Sequence, residues 1–160
     1  AVLIQLPPDF DRSIANRTYL ASLLDGLAEL PLAVEFRHHS WAVDPVFAEL
    51  ERRRVTLVTV DAPDLPGLFP ALDVITNPAL FYGRFHGRNR EGWRSGNMQK
   101  KFNYDYSAEE LRTWCAAHLP ALTGGAEQGI LLFNNHVRAQ APRNGARLAT
   151  ILGEFSGGGR

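Results

Sequence analysis

The chain opens on a short, mostly apolar run, Ala1-Val-Leu-Ile-Gln-Leu6, that stops at Pro7 and Pro8. A short run with a proline stop predicts a buried strand ending in a turn. The rhythm then changes. Leu20, Leu23, Leu24, Leu27 and Leu30 recur at helical spacing and predict an amphipathic helix over about residues 16–29, closed by Pro31. Leu32 to Arg37 reads as a second strand, and Asp44-Pro45 supplies a cap and a first-turn proline for a helix running to about Arg53. Val55 to Asp61 is rich in β-branched residues, a third strand.

Pro63, Pro66, Pro70 and Pro78 break up residues 62–79, which are expected to be a loop with at most one helical turn. Leu80 to His86 is the fourth strand. Gly87 to Tyr106 is long, polar and aromatic without a period, the kind of loop that compact domains keep for function. Ser107 to Glu110 forms a capping box, and Leu111, Trp114 and Leu119 continue that helix on its buried side. Gly129 to Phe133 is the fifth strand, Pro142 opens a last helix carrying Leu148, Ile151 and Leu152, and residues 153–160 read as a flexible tail. Strands alternating with helices predict an α/β fold with a parallel sheet and helical crossovers. The nearly continuous apolar strands suggest that both sheet faces are covered.

Composition narrows the class. The 160 residues carry 17 basic and 17 acidic side chains and are 45% hydrophobic, which suits a globular domain and disfavours a nucleic-acid partner held by overall charge. No apolar run approaches the roughly 20 residues of a membrane helix, so no membrane partner is expected. Cys115 is the single cysteine, which excludes an internal disulfide and a thiolate zinc cluster. A cytoplasmic location is the default expectation. No glycine-rich phosphate loop follows a strand, so no nucleotide cofactor is expected. Lys100 and Lys101 are the only lysines; every other basic residue is arginine, the side chain suited to bidentate binding of carboxylate and phosphate.

The strand ends carry the candidate chemistry. Side chains alternate along a strand, so Ala33, Glu35 and Arg37 share one face, as do Tyr82, Arg84 and His86, while Asp61 shares its face with Leu57 and Thr59. Gln5 ends the first strand, and Asn134, Asn135 and His136 follow the fifth. Parallel sheets place their sites at the carboxyl ends of the strands, where these groups are expected to converge. Taken singly, ion pairing of Glu35 with Arg84 and of Asp61 with Arg37 explains them. Taken together they exceed what stability requires, because buried charge is costly. Glu35, Asp61 and His86 are the candidate catalytic set, with a small-molecule substrate held by Gln5, Arg37, Arg84, Arg88, Asn134, Asn135 and the aromatic residues Trp41, Tyr104 and Tyr106. An arginine beside His86 is expected to lower its pKa and keep it neutral. The same three residues could ligate a divalent metal, against competition from the arginines for the carboxylates.

These motifs also resemble a family. Gln5-Leu-Pro-Pro8, Val34-Glu-Phe-Arg-His38 with Ser40-Trp41, Tyr82-Gly-Arg-Phe-His-Gly-Arg88, Asn103-Tyr-Asp-Tyr-Ser107 and Phe133-Asn-Asn-His136 with Ala141-Pro142 are similar, in order, to those of the YecE-like family, domain of unknown function seventy-two. The resemblance implies a TIM-like parallel β/α barrel with the polar motifs at its C-terminal mouth. It also implies that residues 1–152 are the C-terminal part of one barrel domain, about five of eight β/α units, short of the ~250 residues of a full barrel. The sheet edges could then associate with further chain. Three functions stay open: an isomerase, lyase or hydrolase working by acid/base or metal-assisted chemistry on a small polar or anionic substrate; a barrel that binds a ligand without chemistry; and a nucleic-acid-processing enzyme using Arg88, Arg90, Tyr104 and Tyr106.

Overall fold

In the computed structural model, which describes residues 1–157, five parallel strands alternate with helices in the expected order. These are β1 (Val2–Gln5), α1 (Ile14–Gly26), β2 (Leu32–Glu35), α2 (Asp44–Arg53), β3 (Thr56–Asp61), β4 (Phe81–Phe85), α3 (Arg90–Arg94), α4 (Met98–Lys101), α5 (Ala108–Gly125), β5 (Gly129–Phe133) and α6 (Gln140–Gly157). The strand order β1-β2-β3-β4-β5 is sequential, with every pairing parallel, and the sheet curls. Crossovers that always return to the next strand produce this order.

The helix starts are set locally. Ser13 Oγ accepts from Asn16 N to cap α1, Pro45 sits in the first turn of α2, and Ser107 with Glu110 closes a reciprocal capping box on α5. α3 and α4 lie inside the segment expected to be loop. Each is about one turn long, and Asn89 and Asn97 cap them by accepting from Gly92 N and Lys100 N. α6 continues to Gly157, so residues 153–157 extend the helix where a tail was expected, and residues 158–160 lie outside the described ones.

No helix forms between β3 and β4. The proline-broken segment binds β3 directly instead: Thr76 Oγ1 donates to Val55 O (2.6 Å) and accepts from Leu57 N (2.8 Å), and Thr59 Oγ1 donates to Leu72 O (3.0 Å).

Register fixes which side chains share a face. Gln5 pairs with Glu35, Val60 with Arg84 and Arg84 with Leu132, while Asp61 pairs with Phe85 and Phe85 with Phe133. The Phe85 face packs against helices: Trp114 of α5 meets Phe85 at 4.7 Å between ring centroids, and Trp41 stacks on Phe36 at 4.8 Å. The opposite face carries Gln5, Glu35 and Arg84. β2 and β3 are buried throughout, but Val2 on β1 and Leu132 on β5 are exposed. Continuous burial therefore holds for the central strands and fails at the two edges, which lack a neighbour on one side. No helix among the described residues is long and apolar enough to cross a membrane.

Candidate functional site

Six polar side chains form a hydrogen-bonded cluster at the carboxyl end of the sheet, four of them (Glu35, Arg84, Asn134 and His86) in a closed ring. Glu35 lies at the centre of the cluster, fully buried. Its Oε2 accepts from Arg84 Nη1 (2.5 Å); its Oε1 accepts from Arg37 Nε (3.1 Å) and lies 3.1 Å from His86 Nε2. Arg84 Nη1 also donates to Gln5 Oε1 (2.6 Å), and Nη2 to Asn134 Oδ1 (3.2 Å). Asn134 Nδ2 lies 3.3 Å from His86 Nδ1, which completes the circuit. β1, β2, β4 and β5 or their immediate continuations supply the cluster, and β3 supplies Val58 and Val60 as its apolar floor.

The electrostatics follow from this packing. Burial alone would raise the Glu35 pKa, but the His86 hydrogen bond and the positive charges of Arg84 and Arg37 outweigh it and hold the carboxyl at about 2. Burial lowers the His86 pKa, the arginines add to that, and Glu35 only partly opposes it. The arginine effect expected from the sequence is present, but desolvation is the larger cause. A neutral imidazole then donates Nε2–H to Glu35 and turns its Nδ1 lone pair toward the Asn134 amide.

Positive charge exceeds negative here. One carboxylate faces two guanidinium groups, and Arg37 uses only Nε: its terminal nitrogens have no hydrogen-bond partner among the described residues. Arg84 Nε is buried without a partner. Lys101 adds a third cation, its Nζ 3.8 Å above the Trp93 ring, with a pKa lowered by burial and then by Arg37. Trp93 and Phe102 cover His86, their ring centroids 6.4 and 6.1 Å from its own. Lys101 was not among the candidate site residues, because the sequence does not show which rings it meets.

Asp61 is not part of this ring. Its register with Phe85 turns it to the helix-covered face, where Arg88 Nε and Nη2 fork onto its two oxygens (2.9 and 2.5 Å) and Tyr106 Oη donates at 2.6 Å. The partner expected for Asp61 was Arg37; the actual one is Arg88. Gly87 N donates to Tyr106 Oη (2.9 Å), so the chain leaving β4 is tied to the same cluster. Only glycine fits at that exit: its φ is +86°, and a Cβ would stand 2.6 Å from Tyr104 Cβ.

The other candidates are structural. Tyr106 is fully buried and offers no stacking face to a base. Burial, then the Asp61 charge and hydrogen bond, raise its pKa well above normal, so it stays protonated as a donor. Tyr104 is half-buried and donates its hydroxyl to Glu110, with a pKa pushed up to about 12 by burial and by that bond. Asn135 Nδ2 braces Tyr104 O (2.6 Å) and Asn144 Oδ1 (2.5 Å). Trp41 is buried on the helix side, its Nε1 donating to Phe10 O (2.7 Å). Glu35, Asp61 and His86 thus do not converge, and the described residues contain no group of three or more His, Cys, Asp or Glu placed to hold a metal ion.

Comparison with known proteins gives a consistent picture. A family model described as "Protein of unknown function DUF72" matches residues 1–158. UPF0759 protein YunF of Bacillus subtilis is 30% identical over 98% of this chain and 59% of its own length. A DUF72 family protein of Thermotoga maritima, known from a crystal structure, superposes with a TM-score of 0.86 at 35% identity, over 94% of this chain and 56% of that one. One from Enterococcus faecalis gives 0.85 at 28% identity, over 96% and 58%. The chain spans somewhat more than half the length of these relatives.

Proposed function

The chain belongs to the DUF72 family, and we propose that its Glu35 ring is the anion-binding, acid/base site of an enzyme built on a TIM-like β/α barrel. The five sequential parallel strands and their polar carboxyl ends support the barrel, in which sites lie at that end. The observation that carries the function is the uncompensated positive charge: Arg37, Arg84 and Lys101 surround one carboxylate, with guanidinium N–H groups left over.

A carboxylate- or phosphate-bearing substrate fits those free donors, because guanidinium binds both groups in a bidentate fashion. His86 acts as the base through Nδ1 once the substrate displaces the Asn134 amide from it. Glu35 holds Nε2–H, fixes the tautomer and stabilises the imidazolium formed when a proton is taken. Asn134, which bridges Arg84 and His86, couples anion binding to the orientation of the base. Proton abstraction beside a carbonyl or carboxylate follows, as in an isomerase or lyase.

The test uses the full-length protein. Inorganic phosphate titrated by calorimetry should bind saturably, and Arg84→Met should weaken it about tenfold or more, the worth of one charge-assisted hydrogen bond. Sugar phosphates and hydroxy acids incubated in D2O should show C–H exchange by NMR that His86→Asn and Glu35→Gln lack. Phosphate binding unchanged in Arg84→Met removes the anion site. Exchange that persists in Glu35→Gln removes the acid/base role.

A further inference from the structure

On the opposite side of β2 from Glu35, consecutive helices α1 and α2 leave a cavity of about 200 Å³. Its walls are apolar: Leu20 and Leu24 of α1, Leu50 of α2 and the indole of Trp41. Trp41 is an immobile wall, stacked between Phe10 (5.7 Å) and Phe36 (4.8 Å) and hydrogen-bonded to Phe10 O. The rim is basic. Arg12, Arg17 and Arg53 line it, with Glu49 as the one carboxylate.

That carboxylate is already committed. Glu49 accepts from Arg52 Nη2 (2.7 Å) and Arg53 Nε (2.6 Å), and Arg53 Nη1 also donates to Asp25 (2.5 Å). Arg12 and Arg17 keep no ion pair among the described residues, and Arg12 Nε is enclosed without an acceptor. Leaving an enclosed donor unpaired is costly. The Arg12 backbone is also fixed, its N–H donating to Ser40 Oγ (2.8 Å), and its side chain lines the pocket.

We propose that this cavity binds a small amphipathic carboxylate, its hydrocarbon part against Leu20, Leu24, Leu50 and Trp41 and its carboxylate on Arg12 and Arg17. The size agrees: an apolar cavity of about 150 Å³ holds a benzene ring, so this one takes a ring with a short side chain or a medium-length acyl chain. The charge agrees too, because arginine without an acidic neighbour selects an anion, and an apolar floor rejects a fully hydrated one. The pocket is separate from the Glu35 ring and does not depend on the function assigned to that ring.

Octanoate and octanol serve as probes, titrated by calorimetry into the full-length protein. Octanoate should bind once per chain, and octanol about tenfold more weakly or less. The double variant Arg12→Gln/Arg17→Gln should weaken octanoate by a similar factor and leave octanol unchanged. Ala21→Phe, which fills the pocket from α1, should abolish both while the circular dichroism spectrum and Tm are retained. Phosphate affinity should be unchanged in both variants, which separates this site from the ring. Absence of saturable octanoate binding, equal affinity for the two probes, octanoate affinity unchanged in the double arginine variant, or octanoate binding that survives Ala21→Phe would overturn the proposal.

Discussion

Glu35 and Asp61 end neighbouring strands, both are buried, and both are bound by arginine, yet the two clusters are built differently. Asp61 meets one guanidinium in a forked pair, with Tyr106 Oη as a further donor, and its charge is balanced. Tyr106 and Arg88 both belong to the segment leaving β4, so the cluster pins that segment to the helix-covered side. Glu35 is shared by the Arg37 guanidinium from the continuation of its own strand and by the Arg84 guanidinium and His86 imidazole from β4 and its continuation, with donor capacity left over. Buried charge by itself therefore does not mark a site. A closed, neutral set holds the fold together, whereas an unbalanced set with free donors is arranged to receive something.

The largest effect should come from breaking the closed set. Asp61→Ala strands the Tyr106 hydroxyl and leaves Arg88 without its partner. Removing one member of a buried pair costs about 3–4 kcal/mol, the lower part of the usual range because Arg88 is partly solvated. Urea denaturation of the full-length protein measures this. Where the variant folds, its phosphate affinity should match the parent. A large loss of affinity with little loss of stability would reverse the roles assigned to the two carboxylates.

Acid should separate the clusters next. Glu35 has a folded pKa of about 2 against an ordinary 4.5, so its contribution is present above pH 4.5 and lost as pH falls through 2. The shift corresponds to roughly 3 kcal/mol. His86 acts earlier: its folded pKa is also lowered, so below about pH 6.5 the unfolded chain takes the proton first and stability begins to fall. Denaturation midpoints measured from pH 7 downward should therefore decline in two stages. Glu35→Gln should flatten the lower stage and His86→Asn the upper. A single stage untouched by Glu35→Gln would show that the carboxylate is not held ionised by its ring.

The contrast between the clusters also marks what the sequence could show. Alternation correctly paired Glu35 with Arg37 and Arg84 with His86, because the pleat alone decides which residues within one strand share a face. It could not set one strand against the next. A shift of one position moves a strand's side chains to the other face, and the observed register, Val60 beside Arg84, sends Asp61 outward with Phe85. The partnership of Asp61 with Tyr106 spans 45 residues and a segment without a period, so nothing local announced it. The helix cap at Ser107 was different in kind. Its donor lies three residues away, and the side chain capable of accepting from it is written beside it.

The smallest effect tests how complete the Asp61 set is. Tyr106→Phe removes one oxygen and keeps the ring packing against Phe85 and Phe133. Asp61 keeps the Arg88 fork, so no bare carboxylate results. What is lost is the donor to Asp61 and the acceptor for Gly87 N, and Gly87 is buried. An unsatisfied buried amide with a lost hydrogen bond costs about 1–2 kcal/mol, well below the Asp61→Ala loss because the charge stays paired. Hydrogen exchange gives a second, local readout, since the Gly87 amide should exchange faster while amides in β3 and β4 change only with global stability. If Tyr106→Phe matches Asp61→Ala in cost, the hydroxyl rather than the Arg88 fork carries the cluster. If it costs nothing and Gly87 stays protected, the segment leaving β4 is held by its glycine turn and by Tyr104, and Asp61 would lose its role as the anchor.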